Sequence, residues 1–73
     1  MSKADEAFRK IKYEKIEDPK ILKYENINKN KRIYFIEKTV RYSYYNVSGE
    51  YPACLNMQEL KAIYLKCKEK RWI

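Results

Sequence analysis

The apolar residues of this chain change period along its length, and that change limits the fold more than any motif does. Ala4, Ala7, Phe8 and Ile11 stand at i, i+3, i+4 and i+7, the single stripe of a short amphipathic helix. Three segments rich in Ile, Tyr, Phe and Val follow, Ile21 to Ile27, Arg32 to Glu37 and Thr39 to Tyr45, and these read as strands. Leu60, Ile63, Tyr64 and Cys67, with Met57 on the same side, then return to the helical stripe. Local signals bound these elements. Ser2 with Asp5 and Asn56 with Glu59 place a capping residue ahead of each helix, because their side-chain oxygens can accept from backbone N–H groups that have no partner within the helix. Glu17, Asp18 and Pro19 form a break, Asn28 to Lys31 a polar turn, Glu37 and Lys38 a tight reversal, and Asn46 to Glu50 a turn around Ser48 and Gly49. Tyr51 to Leu55 adds a brief extended edge segment, and Trp72 with Ile73 can fold back onto the core.

Connections this short favour antiparallel pairing, since a parallel crossover needs about a dozen residues or more. Both helical stripes need an apolar surface, and one face of a meander supplies it. The expected fold is a single α+β domain over residues 1–73, a two-layer sandwich. It has an N-terminal helix, a three- or four-stranded antiparallel meander, and a C-terminal helix packed on one sheet face. A chain of 73 residues leaves room for one such core and no separate catalytic module.

The composition narrows the chemistry. With no histidine, neither a Ser-His nor a Cys-His nucleophilic pair can be built, and the side chain best suited to proton transfer near neutral pH is missing. Gly49 is the sole glycine, which excludes a phosphate-cradling glycine-rich loop and a dinucleotide fingerprint. Cys54 and Cys67 lack C-x-x-C spacing and cannot by themselves supply a structural zinc site. They read as ordinary thiols, a disulfide requiring both suitable geometry and an oxidising compartment. The reading is therefore not an enzyme, with no cofactor and no metal. No apolar run of about 18 residues could span a bilayer and the first residues lack a signal-peptide stretch, so a cytoplasmic protein is expected.

Lys and Arg number 17 against 10 Asp and Glu, a net charge of +7. Residues 1–18 balance at five of each, 19–45 carry seven basic against two acidic, and 46–73 five against three. The excess sits on the strands and their turns. Period-two alternation puts Arg32, Tyr34 and Ile36 on one side of one strand and Arg41, Ser43 and Tyr45 on one side of the next. If the helices cover the side bearing Ile33, Phe35, Val40, Tyr42 and Tyr44, the open face displays tyrosines flanked by arginines; a slip of one residue would exchange the faces. Such a face suits a protein interface, where Tyr and Arg concentrate, or single-stranded nucleic acid, with rings on bases and cations on phosphates. Lys29 and Lys31 in the preceding turn could add phosphate contacts. The same residues also serve a plain structural purpose, cross-strand Tyr and Arg pairs being common on solvated sheets. Leu65, between Lys61 and Lys68 and off the main stripe, is a further contact candidate.

Finally, Gly49-Glu50-Tyr51-Pro52-Ala53, then Asn56-Met57-Gln58-Glu59-Leu60-Lys61-Ala62-Ile63, and the closing Arg71-Trp72-Ile73 resemble segments of small proteins encoded by phages and prophages of low-GC Gram-positive bacteria. Ala4-Asp5-Glu6-Ala7-Phe8 and Tyr13-Glu14-Lys15-Ile16-Glu17-Asp18 are similar to further segments of that family. Where such relatives carry helix-ending glycines ahead of the tyrosine and the tryptophan, this chain has Lys12 and Arg71, which leaves the helix ends open. The resemblance implies a context: a non-catalytic accessory protein that binds a host macromolecule, with anti-defence or host takeover as roles. A host protein is the first partner to expect and nucleic acid the alternative, with a homodimer through the open face as a third arrangement and no membrane partner.

Overall fold

A computed structural model describes residues 2–18 and 21–73. The order is helix α1 (Lys3–Lys10), strands β1 (Glu14–Glu17), β2 (Leu22–Asn26), β3 (Lys31–Ile36), β4 (Thr39–Asn46) and β5 (Gly49–Pro52), and helix α2 (Met57–Glu69). The five strands form one antiparallel sheet in chain order. The α+β meander between two helices is as the apolar periods imply, with one strand more than the expected three or four. That strand, β1, is exposed along its whole length and charged at every position but Ile16, so no alternation marks it, and charge on an edge strand also discourages pairing with other chains. The break expected at Glu17–Pro19 lies partly outside the described residues; Asp18 donates its N–H to the Ile21 carbonyl.

Register assigns the faces. Tyr24 pairs with Ile33, Ile33 with Tyr42, Phe35 with Leu22 and Val40, and directly opposed residues share a side. Both helices lie on this side. Phe8 of α1 is completely buried and stacks on Tyr24 at 3.8 Å, with its neighbours Tyr13 and Phe35 edge-on. Ala62 and Ile63 of α2 complete the core, and Trp72 folds back against Phe35 as the sequence suggests, whereas Ile73 stays exposed. The helices run antiparallel: Asp5 near the start of α1 pairs with Lys66 near the end of α2. No helix among the described residues is long and apolar enough to cross a membrane.

The caps form as their residues require. Ser2 Oγ accepts from the Asp5 N–H at 3.0 Å. Asn56 accepts from Glu59 N–H at 2.8 Å while Glu59 accepts from Asn56 N–H at 3.0 Å, a complete capping box. The other ends settle the role of Lys12 and Arg71. Lys12 N–H reaches Arg9 O and Tyr13 N–H reaches Phe8 O; Arg71 N–H reaches Lys68 O and Trp72 N–H reaches Cys67 O. Both are Schellman endings, and they hold Lys12 at φ 69° and Arg71 at φ 60°, the left-handed region that disfavours a side chain. Lys12→Gly and Arg71→Gly are each expected to stabilise the fold by about 1 kcal/mol, raising the thermal midpoint by about 4–8 °C. Calorimetry of the single and double variants checks this, the two gains being additive because the sites are separate. Glu37 and Lys38 also both take positive φ, the twist that a two-residue hairpin needs.

One helix is rotated from the expected setting. The stripe Leu60, Ile63, Tyr64, Cys67 does not face the core as a unit: Ile63 is buried and Cys67 half-buried, but Met57, Leu60 and Tyr64 are 73%, 45% and 50% exposed. Glu59, Ala62, Ile63 and Lys66 turn inward instead. The physical reason is polar. Glu59, 2% exposed, accepts hydrogen bonds from the hydroxyls of Tyr13 and Tyr42 and sits 3.7 Å from Lys31 Nζ. Lys66, 3% exposed, pairs with Asp5 at 3.2 Å and Glu69 at 2.8 Å. Helix α2 therefore enters the domain through two satisfied charges on either side of an Ala62-Ile63 contact.

Candidate functional site

The five sheet candidates come together on one surface. Arg32, Tyr34, Arg41, Ser43 and Tyr45 all lie on the side away from the helices, as alternation requires, with Arg32 opposite Ser43 and Tyr34 opposite Arg41. The turn residues separate from them. Lys29 is exposed in the 3₁₀ turn Ile27–Lys29, which Asn26 anchors by accepting the Lys29 N–H and donating to the carbonyl of Ile11 at the end of α1. Lys31 points to the helical side, toward Glu59 and over the Tyr42 ring.

The arginines of the open face are already engaged. Arg32 Nη1 lies 2.9 Å from Glu50, its buried Nε lies 3.5 Å from Glu25 without a hydrogen bond among the described residues, and Arg41 lies 3.2 Å from the same Glu50. Lys23 adds a contact at 3.9 Å to Glu25, so cations and carboxylates alternate across β2, β3, β5 and β4. The tyrosines join in, Tyr34 donating to Glu50 at 2.7 Å and Tyr45 to Glu25 at 3.0 Å. The Arg32 guanidinium lies 3.8 Å over the Tyr45 ring. Burial works against the charge on Arg32, but Tyr34 and Glu50 outweigh it and raise its pKa, while the Tyr34 hydroxyl and both arginines hold the Glu50 carboxyl below its ordinary value. Ser43 is 3% exposed and its Oγ has no hydrogen-bond partner among the described residues. Glu25 and Glu50 compete with a phosphate for Arg32, which is largely covered, and Glu50 also for Arg41, whose side chain is 64% exposed, while hydroxyl bonds tie Tyr34 and Tyr45. The arrangement braces the sheet more than it offers charge.

A depression of about 700 Å³ lies between α1 and β1–β2. Its Asp5 accepts from Tyr24 at 2.5 Å and pairs with Lys15 and Lys66 at 3.2 Å each. Burial acts to raise the Asp5 carboxyl, but these three partners prevail and hold it at about 2, from an ordinary 3.8. The Glu59 carboxyl is held low in the same way, burial being outweighed by Tyr13, Tyr42, Asn56 and Lys31. Depressed carboxylates stabilise the fold above their unfolded-state pKa and release that stability as pH falls. The thermal midpoint should therefore be flat between pH about 5 and 8 and drop steeply from about 4 toward 2, with Asp5→Asn flattening the acid limb; scanning calorimetry across that window reads it.

Positive charge without a carboxylate partner among the described residues is spread over Arg9 and Lys12 beside this depression, Lys29, Lys38 and Arg71 at the turns and helix end, and five lysines of the helices. Among the described residues, Lys3 and Lys10 on α1 and Lys61, Lys68 and Lys70 at α2 make no ion pair with a carboxylate, although Lys68 lies over the Tyr64 ring and Lys70 over Trp72. The solvent side of α2 thus presents Met57, Leu60, Lys61, Tyr64, Leu65 and Lys68, with no acidic residue among them. Leu65, singled out in the sequence, is half-buried in the groove against α1. The other residues of this surface were hidden because apolar side chains occur at 57, 60, 62, 63, 64, 65 and 67, which encircle the helix, so the stripe Leu60, Ile63, Tyr64, Cys67 is one of several the sequence offers. The signal that could have revealed it was Glu59: a capping-box carboxylate next to tyrosine-rich strands can be drawn inward.

No protein-family model, curated protein or solved structure matches the chain.

Proposed function

We propose that this is a non-catalytic accessory protein of phage or prophage origin that acts in the cytoplasm of a bacterial host by binding a host protein, and that it does so through the outer surface of its helical layer. The observation that carries this reading is the solvent side of α2, where Met57, Leu60 and Tyr64 are exposed between lysines without carboxylate partners. Exposed apolar side chains grouped on one side of a helix and rimmed by charge are the usual composition of a protein contact surface. The phage origin rests on the sequence resemblance, and anti-defence or host takeover are the roles that go with it. The nucleic-acid reading is weaker, because the Tyr and Arg residues that suggested it are held by Glu25 and Glu50.

Affinity capture from nuclease-treated host lysate tests the proposal with two variants. A Leu60→Asp/Tyr64→Asp chain should lose a partner that wild type retains, while an Arg32→Gln/Arg41→Gln chain keeps it. Both altered side-chain pairs are at least partly exposed, so thermal melts serve as the folding control. Capture that depends on Arg32 and Arg41, or that disappears with nuclease, would move the reading to nucleic acid and to the sheet.

A further inference from the structure

Helices α1 and α2 leave a groove of about 560 Å³ on their solvent side. Its floor is apolar: Ala7, Ile11 and Leu65 are each half-buried, and the small Ala7 keeps that floor low. Its rim is cationic, Lys3 and Lys10 on one bank and Lys61 on the other, against Glu6 alone. None of these three lysines has an ion-pair partner among the described residues, whereas Asp5, Glu17, Glu25, Glu50, Glu59 and Glu69 are all committed to other cations.

We propose that this groove is the docking site for an acidic amphipathic helix of a partner protein, an inference that rests on the protein-binding reading above. The shape fits the way a helix lays one apolar face into a groove between two others, with anchors spaced at i, i+3, i+4 and i+7. The charge selects the ligand. Lys3 and Lys10 stand two turns apart on α1, about 10.5 Å along its axis, so glutamates two turns apart on the incoming helix meet both while its apolar residues reach Ile11 and Leu65. A second copy of this chain is a poor occupant, because it would bring its own lysine rim against this one in a protein of net charge +7. Nucleic acid would find the cations but would have to desolvate an apolar floor with no aromatic ring in it.

A display library of helical peptides tests the ligand chemistry, with a fixed leucine stripe and flanking positions drawn from glutamate, glutamine and lysine. Selection on wild-type protein should enrich glutamate at the flanks. The enriched peptide should bind the Lys10→Glu/Lys61→Glu chain about tenfold more weakly or worse, and its affinity for wild type should fall with added salt. Amide shift mapping with that peptide should perturb Ala7, Ile11, Lys61 and Leu65 and leave Arg32 to Tyr34 and Arg41 to Tyr45 unmoved. The proposal is overturned by enrichment of glutamine or lysine, by equal binding to the charge-reversed chain, by displacement of the peptide by a single-stranded oligonucleotide of higher affinity, or by no enrichment at all. Shifts confined to the sheet face would remove the groove but leave a protein-binding role standing. An empty selection together with lysate capture that requires Leu60 and Tyr64 would do the same, and only an empty selection with empty capture removes both. Thermal melts of the reversed chain show that it is folded, both substituted positions being exposed.

Discussion

Glu59→Ala should leave this domain largely unfolded at ordinary temperatures, with a loss of about 3–5 kcal/mol. Three consequences add at one side chain. The buried Tyr13 hydroxyl and the half-buried Tyr42 hydroxyl lose their acceptor, the Lys31 charge loses its counter-ion on the helical side, and α2 loses half of its capping box. A chain this small has only about 3–5 kcal/mol of stability to lose. Glu59→Gln separates the parts: it keeps the volume and an acceptor oxygen and removes the charge, so it should fall between wild type and alanine. Urea unfolding followed by circular dichroism reads all three proteins. An alanine variant as stable as wild type would show that the inward rotation of α2 is not held by this carboxylate.

The second large effect is expected at Phe8. Its ring is fully buried, stacks on Tyr24 and meets Tyr13 and Phe35 edge-on, so it joins α1 to the middle of the sheet. Phe8→Ala should cost about 3–5 kcal/mol, the transfer of the ring plus the cavity that remains. Phe8→Leu, which refills most of the volume, should cost markedly less. Helix α1 has only eight residues and cannot persist in water without that anchor, so it should unfold along with the sheet in one transition. Amide exchange in α1 and β2 at the same rate in wild type would support that coupling; early exchange confined to α1 would contradict it.

Much of this fold is legible from neighbours in the chain. The stripe Ala4, Ala7, Phe8, Ile11 does face the core, because a short helix with one apolar side has one way to bury it. The alternation in β3 and β4 places Ile33, Phe35 and Tyr42 inward and Arg32, Tyr34, Arg41 and Tyr45 outward, as period two demands. β1 escapes notice because Glu14-Lys15-Ile16-Glu17 buries nothing and pairs only through its backbone with β2. The candidate site was legible in its members but not in its electrostatics. Counting charge along the chain puts the excess on the strands, yet Glu50 arrives from β5 and Glu25 from β2 to cancel Arg32 and Arg41.

Sequence alone therefore determined the two caps, the α1 stripe, the reversal at Glu37 and Lys38 and the sidedness of the central strands, since each depends on residues only a few positions apart. Tertiary structure decided which side of α2 turns inward, where charge is cancelled, and which lysines remain without partners. Those outcomes hang on contacts such as Tyr13 with Glu59, 46 residues apart, Tyr42 with Glu59, 17 apart, and Tyr34 with Glu50, 16 apart. A buried carboxylate is stable only where hydroxyls from separate elements converge on it, and no local periodicity encodes that convergence.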